Sequence, residues 1–226
     1  MPIMSVAKLN NALDRADRYA PHLRLLMQRH PQVRDHLAAG NLDAALACHT
    51  RAADADKPVG EALRDAKGAL ALAVAIGDLA GLLPLEQVTG LLSDFADLAL
   101  DRAIKCAITE YRPGADPIGL AAIALGKHGS RELNYSSDID PILIFEPRAL
   151  PCRDRDEPVE AAVRIGRRVV ELMQARTEHG YVFRIDLRLR PTPEVTPIVM
   201  PVEAAISYYE SQALAWERAA FIRARA

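Results

Sequence analysis

Asp138 and Asp140 stand two residues apart, immediately ahead of the apolar run Pro141 to Phe145. If that run is a strand, its period of two turns both carboxylates to one side. Like charges held that close repel unless a cation lies between them, and hard carboxylate oxygens there suit a divalent metal. A lone D-x-D serves as readily as a turn cap beside a surface charge. Two neighbouring features shift the balance toward a site. The turn Gly126-Lys127-His128-Gly129-Ser130 comes just before the pair, and its small residues let backbone N–H groups approach phosphate. Ser130 Oγ can add a hydrogen bond and Lys127 a charge. The turn is neither a Walker loop nor a Rossmann fingerprint, and alone it reads equally well as a plain strand-to-helix connection.

The second feature is Asp186, the only carboxylate on the polar side of an alternating segment, residues 181–189. Val182, Arg184, Asp186, Arg188 and Arg190 fall on one side, and Phe183, Ile185, Leu187 and Leu189 on the other. If this segment pairs beside the D-x-D strand, Asp186 completes a three-carboxylate cluster. Such a cluster suits phosphoryl or nucleotidyl transfer assisted by two Mg²⁺ ions, which clamp the attacking and leaving oxygens. Arg188, two residues from Asp186 on the same side, is the preferred phosphate ligand, with Arg184 and Arg190 as weaker candidates or plain ion-pair partners.

The elements that must position these residues come in two kinds. Residues 5–112 read as helical, with apolar residues at three- and four-residue spacing over 6–19, 22–28, 42–53, 60–76 and 91–111. In the last of these Leu91, Leu92, Phe95, Leu98, Ala99, Ala103, Cys106 and Ala107 share one face, with Asp97 expected to turn outward. Pro113, Gly114 and Pro117 end this region. A buried strand is expected over 118–125, then the turn, then a central strand over 139–145 in which Pro141 is awkward because it cannot donate a ladder hydrogen bond. A helix over 159–176 with a stripe of Val163, Val170 and Met173 precedes the strand at 181–189. A loop over 191–201 leads into a final helix over 202–225. The class is α+β: a helical region, 1–115, followed by a mixed sheet flanked by helices, 116–226. The chain stops in or at the end of that helix without a capping glycine or proline, as a domain truncated from a longer protein would.

Other residues carry less. His22, His30, His36, His49 and His179 are scattered without ligand spacing, and His128 is expected to face solvent. Tyr208, Tyr209 and Trp216 are expected in helix packing, and Glu217 with Arg218 in a structural ion pair. Nothing marks a covalent nucleophile. A net charge of −2 gives no electrostatic argument for nucleic acid or an anionic membrane. Three cysteines far apart, Cys48, Cys106 and Cys152, argue against disulfides and a thiolate zinc site and fit a reducing cytoplasm. No signal peptide is apparent, and the most apolar window, 69–92, is broken by Gly77, Asp78, Gly81 and Pro84.

The G-[GS] turn, the D-x-D and the later carboxylate resemble the DNA polymerase β-like nucleotidyltransferase superfamily. A closer resemblance covers about residues 118–226. Gly126-Lys127 with Gly129, Arg131 through Asp140, the run Phe183-Arg184-Ile185-Asp186-Leu187-Arg188-Leu189-Arg190-Pro191, and the tail from Tyr208-Tyr209-Glu210 through Trp216-Glu217-Arg218 to Arg225 look like the signature of the glutamine synthetase adenylyltransferase/adenylyl-removing family. The resemblance implies a polymerase β-like catalytic fold, with Asp138 and Asp140 binding Mg²⁺, Asp186 completing the site, and Gly129 and Ser130 holding phosphate. It implies ATP or ADP as nucleotide, glutamine synthetase as protein substrate and the PII signal protein as regulator. The start at Met1 and the wording Asp-Leu-Arg-Leu-Arg-Pro and Trp-Glu-Arg-Ala-Ala resemble the N-terminal, adenylyl-removing half, in which phosphate releases AMP from a tyrosine as ADP. The opposite direction, AMP transfer from ATP, and an inactive module that only binds synthetase or PII are the alternatives. Two departures stand out: His128-Gly129-Ser130 where the family usually has Leu-Gly-Gly, and Pro141 where Leu is commoner.

Overall fold

The structure is a computed structural model that describes residues 2–226, with side chains described from residue 5 onward. The chain divides into two compact units between Phe95 and Ala96. The first is helical: α1 (Pro2–Tyr19), α2 (Pro21–Arg29), α3 (Pro31–Ala38), α4 (Leu42–Leu46), α5 (Cys48–Ala53), α6 (Val59–Leu79) and the opening of α7 (Leu85–Tyr111). Pro21 and Pro31 stand at the first turns of α2 and α3, where a missing N–H costs nothing and a fixed φ suits the helix. The helix expected over 42–53 is instead two short pieces that meet at Ala47, and Asn41 caps the first by accepting the Ala44 N–H at 3.0 Å. Leu9, Leu13, Leu26, Val33, Leu37, Leu72 and Ile76 form the centre of this unit's core.

The second unit holds the rest of α7, then β1 (Leu120–Leu125), the single turn α8 (Gly126–Gly129), β2 (Asp140–Phe145), α9 (Pro158–Gln174), β3 (Val199–Pro201), α10 (Val202–Ser211), α11 (Ala215–Ala220) and a 3-10 turn, Phe221–Arg223. The sheet order is β1-β2-β3, with β1 antiparallel and β3 parallel to the central β2. That mixed sheet with its helices is the expected α+β class. Leu143 and Phe145, on one face of β2, are each 1% exposed, and burying such side chains stabilises the fold by roughly 1.5–3 kcal/mol apiece. Gly166 of α9 lies where a Cβ would collide with Val199 of β3, so the helix crosses the sheet at close range.

Pro141 fits because of where the ladders fall. Its β1 partner, Ala124, spends both backbone groups on Arg225 (2.7 and 3.0 Å), so the Pro141–Ala124 pair is not a hydrogen-bonded one. On the opposite edge the β3 ladder begins only at Leu143, and Ile139 pairs separately with Ile185. The proline lies in the gap between them, where no donor is required.

Four expectations give way. Residues 181–189 do not form a strand; only Ile185 makes a bridge, parallel to Ile139. The N–H groups of Val182 and Phe183 both donate to the Met173 carbonyl, and Asp186 Oδ1 captures the Arg188 N–H at 2.9 Å, turning the chain away from extended pairing. The stripe of α9 is shifted by a residue, with Ala162, Ile165, Val169, Leu172 and Met173 buried and Val163 and Val170 half-buried. The loop before α10 ends in β3, whose apolar Val199 and Met200 were legible as a strand between Pro197 and Pro201. The final helix is broken at residues 212–214, and Trp216 is 56% exposed rather than packed. No helix among the described residues is long and apolar enough to cross a membrane.

Candidate active site

The Ile139–Ile185 bridge is what brings the acidic residues together. The Ile139 N–H donates to the Arg184 carbonyl (3.0 Å) and the Asp186 N–H donates to the Ile139 carbonyl (2.9 Å). In that parallel register Asp140 and Asp186 are the next residues along two adjacent segments, and Asp138 and Arg184 the preceding ones. On its other side β2 pairs Asp140 with Leu125, the last residue before α8. Gly126 then turns with φ +56°, and a Cβ there would lie 2.9 Å from Asp140 Oδ2. Glycine is required at that position by conformation and by the carboxylate beside it.

The three carboxylates differ in how they are satisfied. Asp138 accepts from Arg184 Nε, while the same guanidinium donates to the Ser136 carbonyl (2.7 Å) and the Tyr181 hydroxyl (2.6 Å). Asp186 is gripped by Arg188, whose Nε lies 2.9 Å from both oxygens and whose Nη2 also donates to Oδ2. Those hydrogen bonds, against some desolvation, hold the Asp186 carboxyl below the ordinary carboxylate range. Asp140 is half-buried, and burial followed by the like charges of Asp186 and Asp138 pushes its carboxyl up. His128 and Arg188 oppose this rise but do not overcome it. A carboxylate so placed is stabilised by a cation.

The donor set of three hard oxygen side chains fits Mg²⁺, as does the only partly compensated charge at Asp140. Among the described residues, however, no three acidic, histidine or cysteine side chains are gathered as an ion-holding group. Guanidinium groups are paired with Asp138 and Asp186 instead. Binding of Mg²⁺ therefore calls for Arg184 and Arg188 to let go of the oxygens they now hold. Arg188, 85% exposed, has room to move toward a phosphate.

The turn is fixed on its far side by residues that sequence reasoning missed. His128 does not face solvent; it is 1% exposed, and its Nε2 lies 2.8 Å from Asp97 Oδ1. Asp97 also receives both terminal nitrogens of Arg225, at 2.5 and 2.9 Å. Arg225 Nη2 reaches the His128 carbonyl as well, at 3.3 Å. Desolvation would raise the Asp97 carboxyl, but the bonds from His128 and Arg225 outweigh it and the group is held low. A signal for Asp97 was available: it lies three and seven residues from Leu100 and Ile104, both buried, so it belongs to a second inward stripe of α7. Arg225 was legible only as the end of the tail motif, and nothing in its spacing pointed to Asp97.

Other predicted site residues sit as follows. Gly129 has the carbonyls of Arg223 and Ala124 where a Cβ would be, so its smallness serves close backbone packing. Ser130 closes the turn on itself, its N–H and Oγ both donating to the Gly126 carbonyl at 3.2 and 2.9 Å. Lys127 is exposed. Arg190 is turned away, donating to the carbonyls of Leu187 (2.7 Å) and Pro193 (2.6 Å). Glu217 does not pair with Arg218; it is buried, accepting from the Tyr208 hydroxyl (2.9 Å) and from the Leu214 N–H (2.7 Å) at the start of α11.

Comparison with known proteins gives one consistent result. A family model described as glutamate-ammonia ligase adenylyltransferase matches residues 6–226. A bifunctional glutamine synthetase adenylyltransferase/adenylyl-removing enzyme of Rhizobium meliloti is 39% identical, over 99% of this chain and 25% of that protein. One of Caulobacter vibrioides is 49% identical over 72% of the chain and 18% of its own length, and one of a Bradyrhizobium species 40% identical over 94% and 22%. The chain thus spans a quarter or less of each of these relatives.

Proposed function

The chain belongs to the glutamate-ammonia ligase adenylyltransferase family, and on that premise we propose that residues 116–226 form a nucleotidyltransferase core that removes AMP from an adenylylated tyrosine of glutamine synthetase by phosphorolysis. The observation that supports it most is the Ile139–Ile185 bridge, which puts Asp186 beside Asp140 while β1 delivers Gly126 against the same carboxylate. In the reaction an oxygen of inorganic phosphate attacks the phosphorus of the AMP group. A new P–O–P bond forms, the bond to the tyrosyl oxygen breaks, that oxygen takes up a proton, and ADP leaves.

Asp138, Asp140 and Asp186 are the residues that would hold Mg²⁺, which when bound supplies charge neutralisation for the phosphoryl oxygens. Asp186 accepts the proton of the attacking phosphate. Arg188, freed from Asp186, and Lys127 hold phosphate oxygens as charged donors. Gly129 lets the turn lie close to the nucleotide, and Ser130 offers its hydroxyl once it leaves the Gly126 carbonyl. Catalysis of this kind is positioning and electrostatics with no covalent intermediate. In the longer protein we assign PII as the regulator and the cytoplasm as the place of action, and the helical region 1–115 contributes α7, whose Asp97 holds His128.

The test is to incubate the chain with adenylylated glutamine synthetase, phosphate and Mg²⁺ and measure ADP. Wild type should release it and Asp138→Asn should not; release unaffected by that substitution would sink the site. Labelled ATP with unmodified synthetase tests the opposite direction, and incorporation of label without ADP release would reverse the assignment.

A further inference from the structure

The helical part of the phosphate turn, α8, has four residues, far fewer than a helix needs to stand by itself. Resting on the transfer reading, we propose that His128, gripped by Asp97 of α7 and by Arg225, is the positioning residue that sets where this turn presents phosphate to the acidic site. It touches no substrate and acts through Lys127 and Ser130, one and two residues away in the same turn.

The turn's own bonds close it without orienting it. Ser130 donates twice to the Gly126 carbonyl, the Arg131 N–H donates to the His128 carbonyl at 3.1 Å, and the Glu132 N–H donates to that of Lys127 at 2.7 Å. The chain enters at Gly126 with φ +56° and leaves at Arg131 with φ +60°. Left-handed backbone at a residue that carries a side chain persists only where its surroundings impose it. Whatever orients the turn therefore lies outside it.

The outside holds meet at His128 and Gly129. His128 Nε2 lies 2.8 Å from Asp97 Oδ1, and Arg225 Nη2 reaches the carbonyl of the same histidine at 3.3 Å. Both terminal nitrogens of Arg225 also bond Asp97, and its backbone is paired through N–H and carbonyl with Ala124 of β1. The Arg223 carbonyl stands against Gly129. One aspartate–arginine pair thus fixes His128 at ring and at backbone. Against desolvation, the bonds from His128 and Arg225 hold the Asp97 carboxyl low, so it only accepts and Nε2 carries a proton. The other ring nitrogen, Nδ1, is buried without a hydrogen-bond partner, which leaves Asp97 as the ring's one polar hold among the described residues. A ring held at a single atom is directional: move the donor and the turn must follow.

Two amides separate direction from polarity. The amide nitrogen of glutamine reaches the place of Nε2, whereas that of asparagine ends near the place of Nδ1. ADP release from adenylylated glutamine synthetase is measured at saturating Mg²⁺, well below the melting temperature. His128→Asn should raise the KM for phosphate by about tenfold or more, as a small misplacement of binding groups does, and leave the KM for the adenylylated protein unchanged. His128→Gln should keep the wild-type KM for phosphate. A merely structural role would lower the active fraction, hence kcat, and move neither KM. Should His128→Asn not fold, His128→Met, which fills the space without a donor, takes its place with the same expectation. A wild-type KM for phosphate in the variant without the donor, or an equal rise in His128→Gln, overturns the proposal. If wild type releases no ADP, the transfer reading falls and the hold on the turn is read from backbone amide exchange over residues 126–131. Exchange about tenfold faster in His128→Asn than in wild type and His128→Gln upholds it, and equal exchange in all three overturns it.

Discussion

Asp97 and Asp140 lie in the same unit and both bear on the turn Gly126–Ser130, one through His128 and the other beside Gly126. Their surroundings are opposite. Asp97 has a histidine and a bidentate arginine, and those bonds overcome desolvation to hold its carboxyl low. Asp140 has burial and two other carboxylates, which push it up against the weaker pull of His128 and Arg188. A charge that is fully answered belongs to the scaffold. A charge the fold answers only in part is a cost, and such costs persist where a ligand answers them.

The largest expected break of this contrast is chemical. Asp140→Asn should lower ADP release by at least about 10²-fold, as loss of a group that orients charge at the reacting phosphorus does. Mg²⁺ should raise the melting temperature of wild type by selective binding to the folded state and should raise that of Asp140→Asn much less. Equal Mg²⁺ shifts in the two proteins would mean that Asp140 holds no ion.

Asp97→Ala should act on stability first. It removes the carboxylate that the buried His128 and the half-buried Arg225 both hold, a loss of about 1–3 kcal/mol. Because the Asp97 carboxyl is held low, its contribution is present above the ordinary carboxylate value and is lost as pH falls through the lowered one. Denaturant midpoints of wild type and variant should therefore differ at neutral pH and converge only in acid, once the pH has fallen below the lowered value. A gap that persists in acid would assign the loss to packing.

Arg188→Ala probes a weaker link. Arg188 is 85% exposed and its pair with Asp186 contributes little to the fold, so the melting temperature should not move. The apparent affinity for inorganic phosphate should fall by about tenfold, one charge-assisted contact. Unchanged phosphate dependence would leave Arg188 as a mere partner of Asp186.

How much of this was legible depended on the range of the interaction. Asp138, Asp140 and the glycine turn are local and were read from spacing alone. So was β2 as the central strand, because an apolar run bounded by a charge and a proline admits few other readings. Asp186 was found by type, but the strand assigned to it was wrong: alternation was present, and Asp186 itself, by binding the Arg188 N–H, ended it. His128 was misplaced because its partner lies 31 residues earlier on a stripe of α7 that was taken to face outward. Arg225 reaches Asp97 across 128 residues, a distance over which no periodicity carries information.

The smallest effect is the most telling one for the comparison. Asp140→Asn, which ruins the chemistry, should make the metal-free chain slightly more stable at neutral pH. The raised carboxyl means that the folded state prefers the protonated form, so ionising Asp140 costs stability as pH rises through its raised value. Below the ordinary carboxylate value the burden is absent, and asparagine, neutral at every pH, has nothing left to relieve. The variant's advantage, measured by thermal melts in chelator, should thus appear at neutral pH and vanish in acid. Asp97→Ala should show a deficit at neutral pH that outlasts this advantage on acidification and closes only as pH falls through the lowered Asp97 value. Opposite signs at neutral pH that meet at low pH would establish that the two aspartates flank one turn for different reasons; a loss of stability in Asp140→Asn would show that Asp140, too, has an answering partner in the fold.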